Sequence, residues 1–578
     1  VQPGATSGDG VTFTAFNCNA FVASDVGREI LVTGGANAGA RAGIAAVATA
    51  KTATINVCVA FVNTSVICNK LWRITGSPLT GVTPGASTPE GLSTSLTADA
   101  NAWRGGVNGF GGPNANNLTD SDCGRFVLLN GGSFEITAVA SATVATATIR
   151  GVASGIVKAQ SGTWTLEEAL FSSCNGFAET GAFHDSRLYL GAKHRFAGSK
   201  SGDYENFAVG TLDDDAVLFA LDSDLLEVIR WMHARRGLLI GTLSREWQAA
   251  GSTDAPITPF NIQVNEQTNY GASGVPPIHV GASTIFVSRS GRELNELTFV
   301  FEVDGFRATD LLLLAEHLTR RSTQTGLDPT IIDLAYQDAP ESRIWAVRSD
   351  GVLLCCTYLR DQNVIAWSRL TTAGSFESVA VIPHPNGGRD QVWVSVKRTI
   401  NGAVVRHIEY FDDDGLSYPT LNLDAAVTCN SAVNLETLTG LGHLEGMSVV
   451  AVADGSVQPA RTVSSGNLLI SPCAKKIEVG LAYTSDLTIM RPEVPIGGMS
   501  SMPAKLSWRR LVIKLLDTLG MTVGTESGEE IVPFRTPCDL MGSAPALFTG
   551  DKTLPHLGWD DAQVIVRQTQ PLPSTVLA

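Results

Sequence analysis

Short apolar runs broken by Gly and Ser make up the hydrophobic pattern of the first 170 residues. Ile136, Val144 and Ile149 lie in runs that are rich in β-branched residues, and no helical periodicity extends over a useful length. β-Branched side chains pack well on the pleated surface of a strand. The pattern therefore predicts β-strands.

This strand pattern occurs twice. The segment Ser24–Arg28 recurs as Ser121–Arg125, and each copy is followed by an Ala-, Thr- and Val-rich run and a tryptophan. The spacing from isoleucine to tryptophan is 28 positions in both copies, over Ile44–Trp72 and Ile136–Trp164. The sequence therefore predicts a duplicated small β-module.

The repeated Asp-x-Gly-Arg element has a structural explanation. Asp can hydrogen-bond its own backbone in a turn, and Gly can take φ > 0 just before a strand. We predict that Asp25 and Asp122 stabilise turns and are not catalytic.

Apolar strand cores recur between about 183 and 411, at steps of 50, 47, 59 and 48 residues. They are Leu188–Leu190, Leu238–Ile240, Ile285–Val287, Ile344–Ala346 and Val392–Val394. A period near ~50 with several short strands per repeat is typical of a β-propeller blade. In the best-defined repeat, Arg343–Leu370, an Asp350-Gly351 turn separates two strands.

We predict an all-β protein with a β-propeller-like platform, duplicated small β-modules before it and further β-structure after it. The predicted segments are 1–75 (first module), 76–117 (a Gly-, Pro-, Ser- and Asn-rich arm or loop), 118–170 (second module), 183–411 (platform) and 412–578 (C-terminal β-structure that completes or flanks the platform). Two helices are also expected. A capping box at Thr165–Glu168 predicts a short helix through Phe171, and Leu311, Leu314 and Leu318 would share a face of the second.

Composition agrees with a folded, turn-rich β-protein, because the 578 residues include 58 Gly and 25 Pro and only 17% are charged. No apolar run reaches ~18 residues, so no membrane span is predicted. The chain opens at Val1–Pro3 without a secretion signal, and an N-terminal piece is expected to be missing. The net charge of −15 disfavours a protein that recognises DNA through phosphate contacts.

The sequence lacks the motifs of common catalytic sites, including G-x-S-x-G, Walker, H-E-x-x-H and helix-opening G-x-G-x-x-G. Its ten cysteines are scattered, and Cys355–Cys356 is expected to be a pair of buried thiols. The acidic runs Asp213–Asp215 and Asp412–Gly415 could attract a cation, but solvated turns are the favoured interpretation. His194 is expected at the surface or an interface. We assign no catalytic, cofactor-binding or metal-binding residue, and expect no cofactor and no enzymatic activity.

Ten tryptophans could indicate carbohydrate stacking. Trp231, Trp345, Trp367 and Trp393 lie inside apolar runs, however, and core packing is the simpler interpretation.

Most of the chain from Phe183 onward resembles one family through a set of short motifs. They are His184–Leu190, Gly198–Phe207, Ile229–Trp231, Leu239–Thr242, Glu246–Trp247, Gln267–Gly271, Ser290–Arg292, Phe376–Val379, Gly440–Gly446 and Phe548–Asp551. Together they resemble the tail nozzle proteins, or tail tubular protein B family, of short-tailed bacteriophages. The duplicated module before Phe183 departs from that family.

The resemblance implies a structural virion protein that is made in the bacterial host cytoplasm. It would form a homohexameric ring at the distal end of a short tail, below an adaptor ring. The family's propeller-like platform forms the channel and gate for DNA ejection and a docking site for tail fibres or receptor-binding proteins. Double-stranded DNA would pass through transiently and without sequence specificity.

Charge is consistent with this role, because six copies would carry 6 × −15 = −90. An acidic wall would repel duplex DNA within a Debye length of ~8 Å and keep it from adhering. Two alternatives remain open at this point. A propeller hydrolase acting on polysaccharide should show paired carboxylates about 5–10 Å apart, and a β-rich adhesin should be monomeric.

Overall fold

The computed structural model divides the chain into two compact units, residues 1–178 and 179–578. It describes residues 2–15, 21, 25–32, 37, 40–49, 51–67, 72–75, 80–100, 102–103, 122, 124–167, 170–171, 177–207, 212–221, 223–225, 227–252, 255–303, 305–320, 328–412, 422–493, 505–536, 539, 544–555 and 563–578. Each unit is described by itself below.

The first unit contains two six-stranded antiparallel sheets. The strands of the first are β1 (Gln2–Pro3), β2 (Val11–Thr14), β3 (Glu29–Val32), β4 (Arg41–Thr49), β5 (Thr52–Val59) and β6 (Trp72–Thr75). Those of the second are β7 (Val82–Pro84), β8 (Ser93–Ala98), β9 (Phe126–Leu129), β10 (Gly132–Val139), β11 (Val144–Gly151) and β12 (Thr165–Glu167). The strand orders are β1-β2-β5-β4-β3-β6 and, read from its other edge, β7-β8-β11-β10-β9-β12. The two sheets therefore have the same topology, as expected of a duplicated module.

Two sequence predictions in this unit are wrong. The segment 76–117, predicted as an arm or loop, contains β7 and β8, so the second sheet begins well before residue 118. Thr94, Leu96 and Ala98 alternate into the core, and this pairing outweighs the turn-rich composition around them. The predicted helix at 165–171 is also absent from its described part, because Thr165–Glu167 pairs with β9. Residues 104–121 lie outside the described part of the chain.

Five successive sheets follow in the second unit, and the first four each have four strands. Blade 1 contains β13 (Thr180–His184), β14 (Arg187–Ala192), β15 (Arg195–Gly198) and β16 (Val217–Ala220). Blade 2 contains β17 (Ile229–Ala234), β18 (Leu238–Thr242), β19 (Glu246–Gly251) and β20 (Ile262–Thr268). Blade 3 contains β21 (Ile278–Val280), β22 (Ser283–Val287), β23 (Leu294–Val300) and β24 (Gly305–Asp310). Blade 4 contains β25 (Ile331–Gln337), β26 (Arg343–Arg348), β27 (Leu353–Leu359) and β28 (Val364–Leu370). Blade 5 contains β29 (Ser375–Pro383), β30 (Asp390–Ile400) and β31 (Ala403–Tyr410).

Successive blades pack face to face through apolar clusters. Tyr189 and Ile240 belong to the cluster between blades 1 and 2, whereas Trp231 and Phe286 join blades 2 and 3 with ring centroids 5.6 Å apart. Further clusters join blades 3 and 4, and blades 4 and 5. Each fully buried aliphatic or phenyl side chain contributes about 1.5–3 kcal/mol relative to exposure. These meander sheets confirm the prediction of an all-β, propeller-like fold.

In this region the predicted Asp350-Gly351 turn is confirmed, and the predicted helix on Leu311, Leu314 and Leu318 is wrong. The Asp350-Gly351 turn joins β26 to β27 as expected, and Gly351 has φ of 84°. Near Leu311 the structure has only a 3₁₀ helix, Leu313–Leu318, with non-helical dihedrals at Ala315. Leu314 is consequently 98% exposed and does not share a buried face with its predicted partners. Other short 3₁₀ segments are Phe301–Val303, Arg360–Gln362 and Gly442–Leu444.

Three more antiparallel sheets follow the blades in the same unit. The first contains β32 (Asp424–Leu438), β33 (Ser448–Ala453), β34 (Ser456–Val457), β35 (Arg461–Thr462) and β36 (Leu468–Leu481). The other two contain β37 (Ser485–Thr488), β38 (Arg510–Thr518), β39 (Met521–Thr525), β40 (Gly528–Ile531), β41 (Phe548–Pro555), β42 (Ile565–Gln568) and β43 (Thr575–Val576). Their orders are β37-β42-β39-β40 and β41-β38-β43, and they share one apolar core. The C-terminal region is therefore β-structure, as predicted.

Candidate functional site

The repeated Asp-x-Gly-Arg element forms the same turn in both modules. The main-chain N–H of Arg28 donates to the carbonyl of Asp25 at 3.0 Å, and that of Arg125 donates to Asp122 at 3.1 Å. Gly27 and Gly124, the glycines of the two turns, have φ of 86° and 82°. The turn interpretation is therefore confirmed, since each element leads directly into a strand, β3 or β9.

The same elements also join the two modules. The Arg28 guanidinium binds the Asp122 carboxylate through two hydrogen bonds of 3.1 and 3.0 Å, and both side chains are fully buried. Arg28 also donates to the carbonyl of Ala102 at 2.6 Å, and Arg125 donates to that of Ile74 at 2.9 Å. A bidentate pair fixes distance and orientation together, so this contact sets the geometry between the modules.

The acidic run Asp213–Asp215 is a turn that positively charged side chains hold in place. Arg187, which is 2% exposed, donates to the carbonyl oxygens of Ser199, Asp213 and Asp215 at 2.6–2.7 Å. Lys200 pairs with the Asp215 carboxylate at 2.7 Å. The prediction of a turn at 213–215 is therefore confirmed. Only Asp213 and Asp214 are solvated, however, because Asp215 is buried. Asp413–Gly415 of the second acidic run lies outside the described residues.

Glu246 holds the turn that follows blade 2. Its Oε2 accepts hydrogen bonds from the Thr268 hydroxyl at 2.6 Å and from the main-chain N–H of Tyr270 at 3.3 Å. The side chain is 1% exposed. Burial raises the pKa of Glu246 to about 7, against the opposing effect of these hydrogen bonds.

The raised pKa of Glu246 should make the free energy of unfolding fall as the pH rises above 5. Its folded pKa lies above its unfolded value, so the folded state binds the extra proton between about pH 4.5 and 7 and loses stability as the pH rises through that window. Glutamine stays neutral at every pH. The free energy of unfolding of Glu246→Gln, compared with that of wild type, should therefore rise by on the order of 2–3 kcal/mol between pH 5 and pH 8. Chemical denaturation of the full chain at both pH values measures this difference.

The exposed Glu436→Gln is the matched control for this experiment. Burial also raises the pKa of Glu478 to about 7, with Asp412 adding to the shift, but Glu478 is present in every variant and cancels from the comparison. Equal responses of Glu246→Gln and wild type at the two pH values would contradict the assignment.

Two further family-like motifs, Phe376–Val379 and Gly440–Gly446, also take part in hydrogen bonds that hold the structure together. Asp333 Oδ2 accepts from the Ser378 hydroxyl at 2.7 Å and the Val379 N–H at 3.0 Å, which fixes blade 5 against blade 4. Glu445 accepts from the Gly466 N–H at 2.7 Å. Across these motifs, buried or half-buried charged groups hold turns and neighbouring sheets together. Nothing in the sequence spacing indicated these partners.

A polar link also joins blades 3 and 4. Glu296 is 2% exposed, and its Oε1 accepts from the hydroxyls of Ser283 and Tyr358, both at 2.8 Å. Burial and the Glu296 carboxylate raise the pKa of Tyr358 well above its usual value, so its hydroxyl stays protonated and donates.

One histidine pair lies between blades 2 and 3. The rings of His233 and His279 are 5.9 Å apart, and Arg235 contacts Nδ1 of His279. Burial, followed by His279 and Arg235, lowers the pKa of His233 to about 4, so the ring is neutral at pH 7. No group of three or more His, Cys, Asp or Glu within the described ranges is placed to hold a metal ion. His194 is exposed, as expected.

The tryptophan and cysteine predictions are mostly confirmed. Trp231 and Trp345 are buried in clusters between blades, and Trp367 packs against another. Cys355–Cys356 is buried and both thiols are free. Trp393 differs, because it is half-buried and packs against Tyr410 with ring centroids 5.1 Å apart.

The outer face of blade 5, opposite its contact with blade 4, carries a group of exposed apolar side chains. Arg406, which pairs with Glu377, lies on the same face between Val404 and Ile408. Ile382, Val404, Ile408 and Tyr410 are 46, 59, 78 and 50% exposed, and Trp393 lies among them. Blade 5 has three strands where the preceding blades have four, and among the described strands β31 pairs only with β30. We call this surface the last-blade face.

Blade 1 has a matching surface, opposite its contact with blade 2. Phe183 and Leu218 are 65 and 46% exposed, and Leu188 and Leu190 are half-buried beside them. The register places Phe183 directly opposite Leu188. We call this surface the first-blade face.

Among the described helices, none has both the length and the apolar character needed to cross a membrane.

No family model and no curated protein matches this sequence. The structure is similar to several solved β-structures. They include the Pan2 WD40 domain of Neurospora crassa (11% identity, 52% of this chain and 88% of that chain, TM-score 0.24), a proposed 6-phosphogluconolactonase of Bacteroides fragilis (9% identity, 68% and 100%, TM-score 0.25) and apo AztD of Citrobacter koseri (7% identity, 69% and 97%, TM-score 0.24). At these identities and TM-scores the similarities support no statement about this chain, and the fold described above rests on its own strand pairing.

Proposed function

We propose that this chain is the distal nozzle protein of a short phage tail, a ring-shaped channel and gate for DNA ejection and a platform for fibres. The observation that carries the proposal is the set of family-like motifs between His184 and Asp551. Several of these motifs contain charged residues that hold turns of the fold, namely Arg187 in blade 1, Glu246 in blade 2 and Glu445 in the C-terminal region. The resemblance therefore involves residues on which the fold depends.

The distribution of charge supports the same proposal. Residues 179–578 contain 32 Lys and Arg and 46 Asp and Glu, a net charge of −14, and residues 1–178 contain 9 and 10, a net charge of −1. The acidic character thus belongs to the unit that resembles the nozzle family. An acidic channel would let duplex DNA pass without adhering.

Immunogold labelling tests the proposal directly. We expect an antibody against the full chain to place gold at the tip of the short tail on negatively stained particles from the source culture. Serum taken before immunisation is the control and should leave the tips unlabelled.

Other labelling patterns would point elsewhere. Gold confined to side appendages would favour an adhesin, and particles without gold would reject the nozzle. A hydrolase would instead release sugar from host polysaccharide when the purified chain is added.

A further inference from the structure

We propose that the last-blade face of one copy packs on the first-blade face of the next copy, so that the blade series continues from subunit to subunit around a ring. This inference rests on the proposed function, because it names the surfaces through which that ring assembles. Both faces lie within residues 179–578.

The first argument is continuity with the interfaces inside the chain. Each pair of successive blades buries an apolar cluster between facing sheets, and blade 5 uses Val392, Val394 and Val396 for this purpose. The alternate residues of its strands form the last-blade face, which carries Trp393, Ile408 and similar side chains toward solvent. Large apolar side chains that are exposed together on one sheet face mark an interaction site, and an arginine among them, such as Arg406, is also typical of interfaces.

The second argument is complementarity. The first-blade face is the side of blade 1 away from blade 2. Phe183, Leu188 and Leu218 give it the same aliphatic and aromatic character, and Tyr204 packs against Phe183 there. Two different faces that bind each other form a heterologous contact, which generates a closed ring when the rotation closes. Two identical faces would form only a two-fold dimer.

The third argument is area. Strand spacing and rise give the last-blade face, with strands of 9, 11 and 8 residues, roughly 400 Å² and the smaller first-blade face roughly 300 Å². A stable dimer needs about 800 Å² per partner, so one contact between these faces is weak. In a ring each subunit buries both of its faces, and their combined area approaches the 800 Å² that each partner of a stable dimer buries. Assembly should therefore be cooperative, with few free dimers.

Site-specific photocrosslinking on the full chain locates the contact. Benzoyl-phenylalanine placed at Ile408 should crosslink to a second copy, and mass spectrometry should find the adduct within 183–190 or 217–220. The same probe at Phe260, which is 69% exposed in the β19–β20 connection, is the control and should give no intermolecular adduct. An adduct from position 408 elsewhere in the partner, or none at all, would overturn the proposal.

Two charge variants test whether the contact is head-to-tail. Ile408→Asp and Phe183→Asp should each weaken self-association at least 10-fold in sedimentation velocity, because either carboxylate would be desolvated at the contact. Phe260→Asp should assemble like wild type. Circular dichroism verifies that each variant is folded.

Mixing the two variants distinguishes a head-to-tail contact between two different faces from a two-fold contact between identical faces. Ile408→Asp keeps an intact first-blade face and Phe183→Asp keeps an intact last-blade face, so a concentrated mixture should form 1:1 pairs and nothing larger. Self-association of Phe183→Asp alone at the wild-type level would show that the last-blade face binds itself and would overturn the proposal.

Failure here is distinguishable from failure of the proposed function. Gold at the tail tip together with a crosslink elsewhere would reject only the interface. The expected crosslink together with unlabelled tails would reject the nozzle and retain the ring.

Discussion

Replacing Asp122 with alanine is expected to destabilise residues 1–178 by about 3–5 kcal/mol. Asp122 is the buried partner of Arg28, and its removal deprives the buried Arg28 guanidinium, which also donates to the Ala102 carbonyl, of this counterion. A buried charge that loses its counterion keeps its desolvation cost without compensation. Hydrogen exchange followed by mass spectrometry on the full chain should show faster exchange in both β-sheets of the first unit.

Glu135→Ala is the matched control for this prediction, because it removes an acidic partner of an arginine at the surface of the same unit. Arg150 pairs with Glu135 at 2.8 Å, and the two side chains are 53 and 29% exposed. Solvent competes for such a pair, so the expected loss is below about 1 kcal/mol. Equal exchange in the Asp122 and Glu135 variants would show that the buried pair does not hold the modules together.

Replacing Arg187 with alanine should destabilise blade 1 by about 3 kcal/mol or more. One guanidinium serves the carbonyls of Ser199, Asp213 and Asp215, and its loss leaves these main-chain acceptors without a charged donor. Exchange should rise over residues 187–220 and remain at the wild-type rate in blades 3 and 4. Arg187→Lys should recover only part of the loss, because one ammonium group lacks the planar fork of donors.

Arg307→Ala removes an exposed arginine of blade 3 and controls for the loss of one positive charge. Its expected effect is within about 0.5 kcal/mol of wild type. If Arg187→Ala behaved like Arg307→Ala, the turn at 213–215 would be held by its other contacts, such as Lys200 with Asp215.

The sequence predicted local structure well wherever neighbouring residues decide it. The Asp-x-Gly-Arg turns, the Asp350-Gly351 hairpin and the blade-like strand period all depend on glycine geometry and β-branched runs that lie close together in the chain. Composition misled at 76–117, because its Gly and Pro content concealed the alternation of Thr94, Leu96 and Ala98. The same kind of alternation, at Val404, Ile408 and Tyr410, could have revealed the last-blade face.

The sequence by itself determined the all-β class, the duplication and the resemblance on which the proposed function depends, since each is a pattern along the chain. Only the tertiary structure decided which charges meet. Arg28 and Asp122 are 94 residues apart, and Glu296 and Tyr358 are 62 apart, so no local spacing predicts either contact. It also decided which apolar side chains of blades 1 and 5 are exposed to solvent. Burial and pairing depend on where separate strands come to lie, and that is a property of the packed chain.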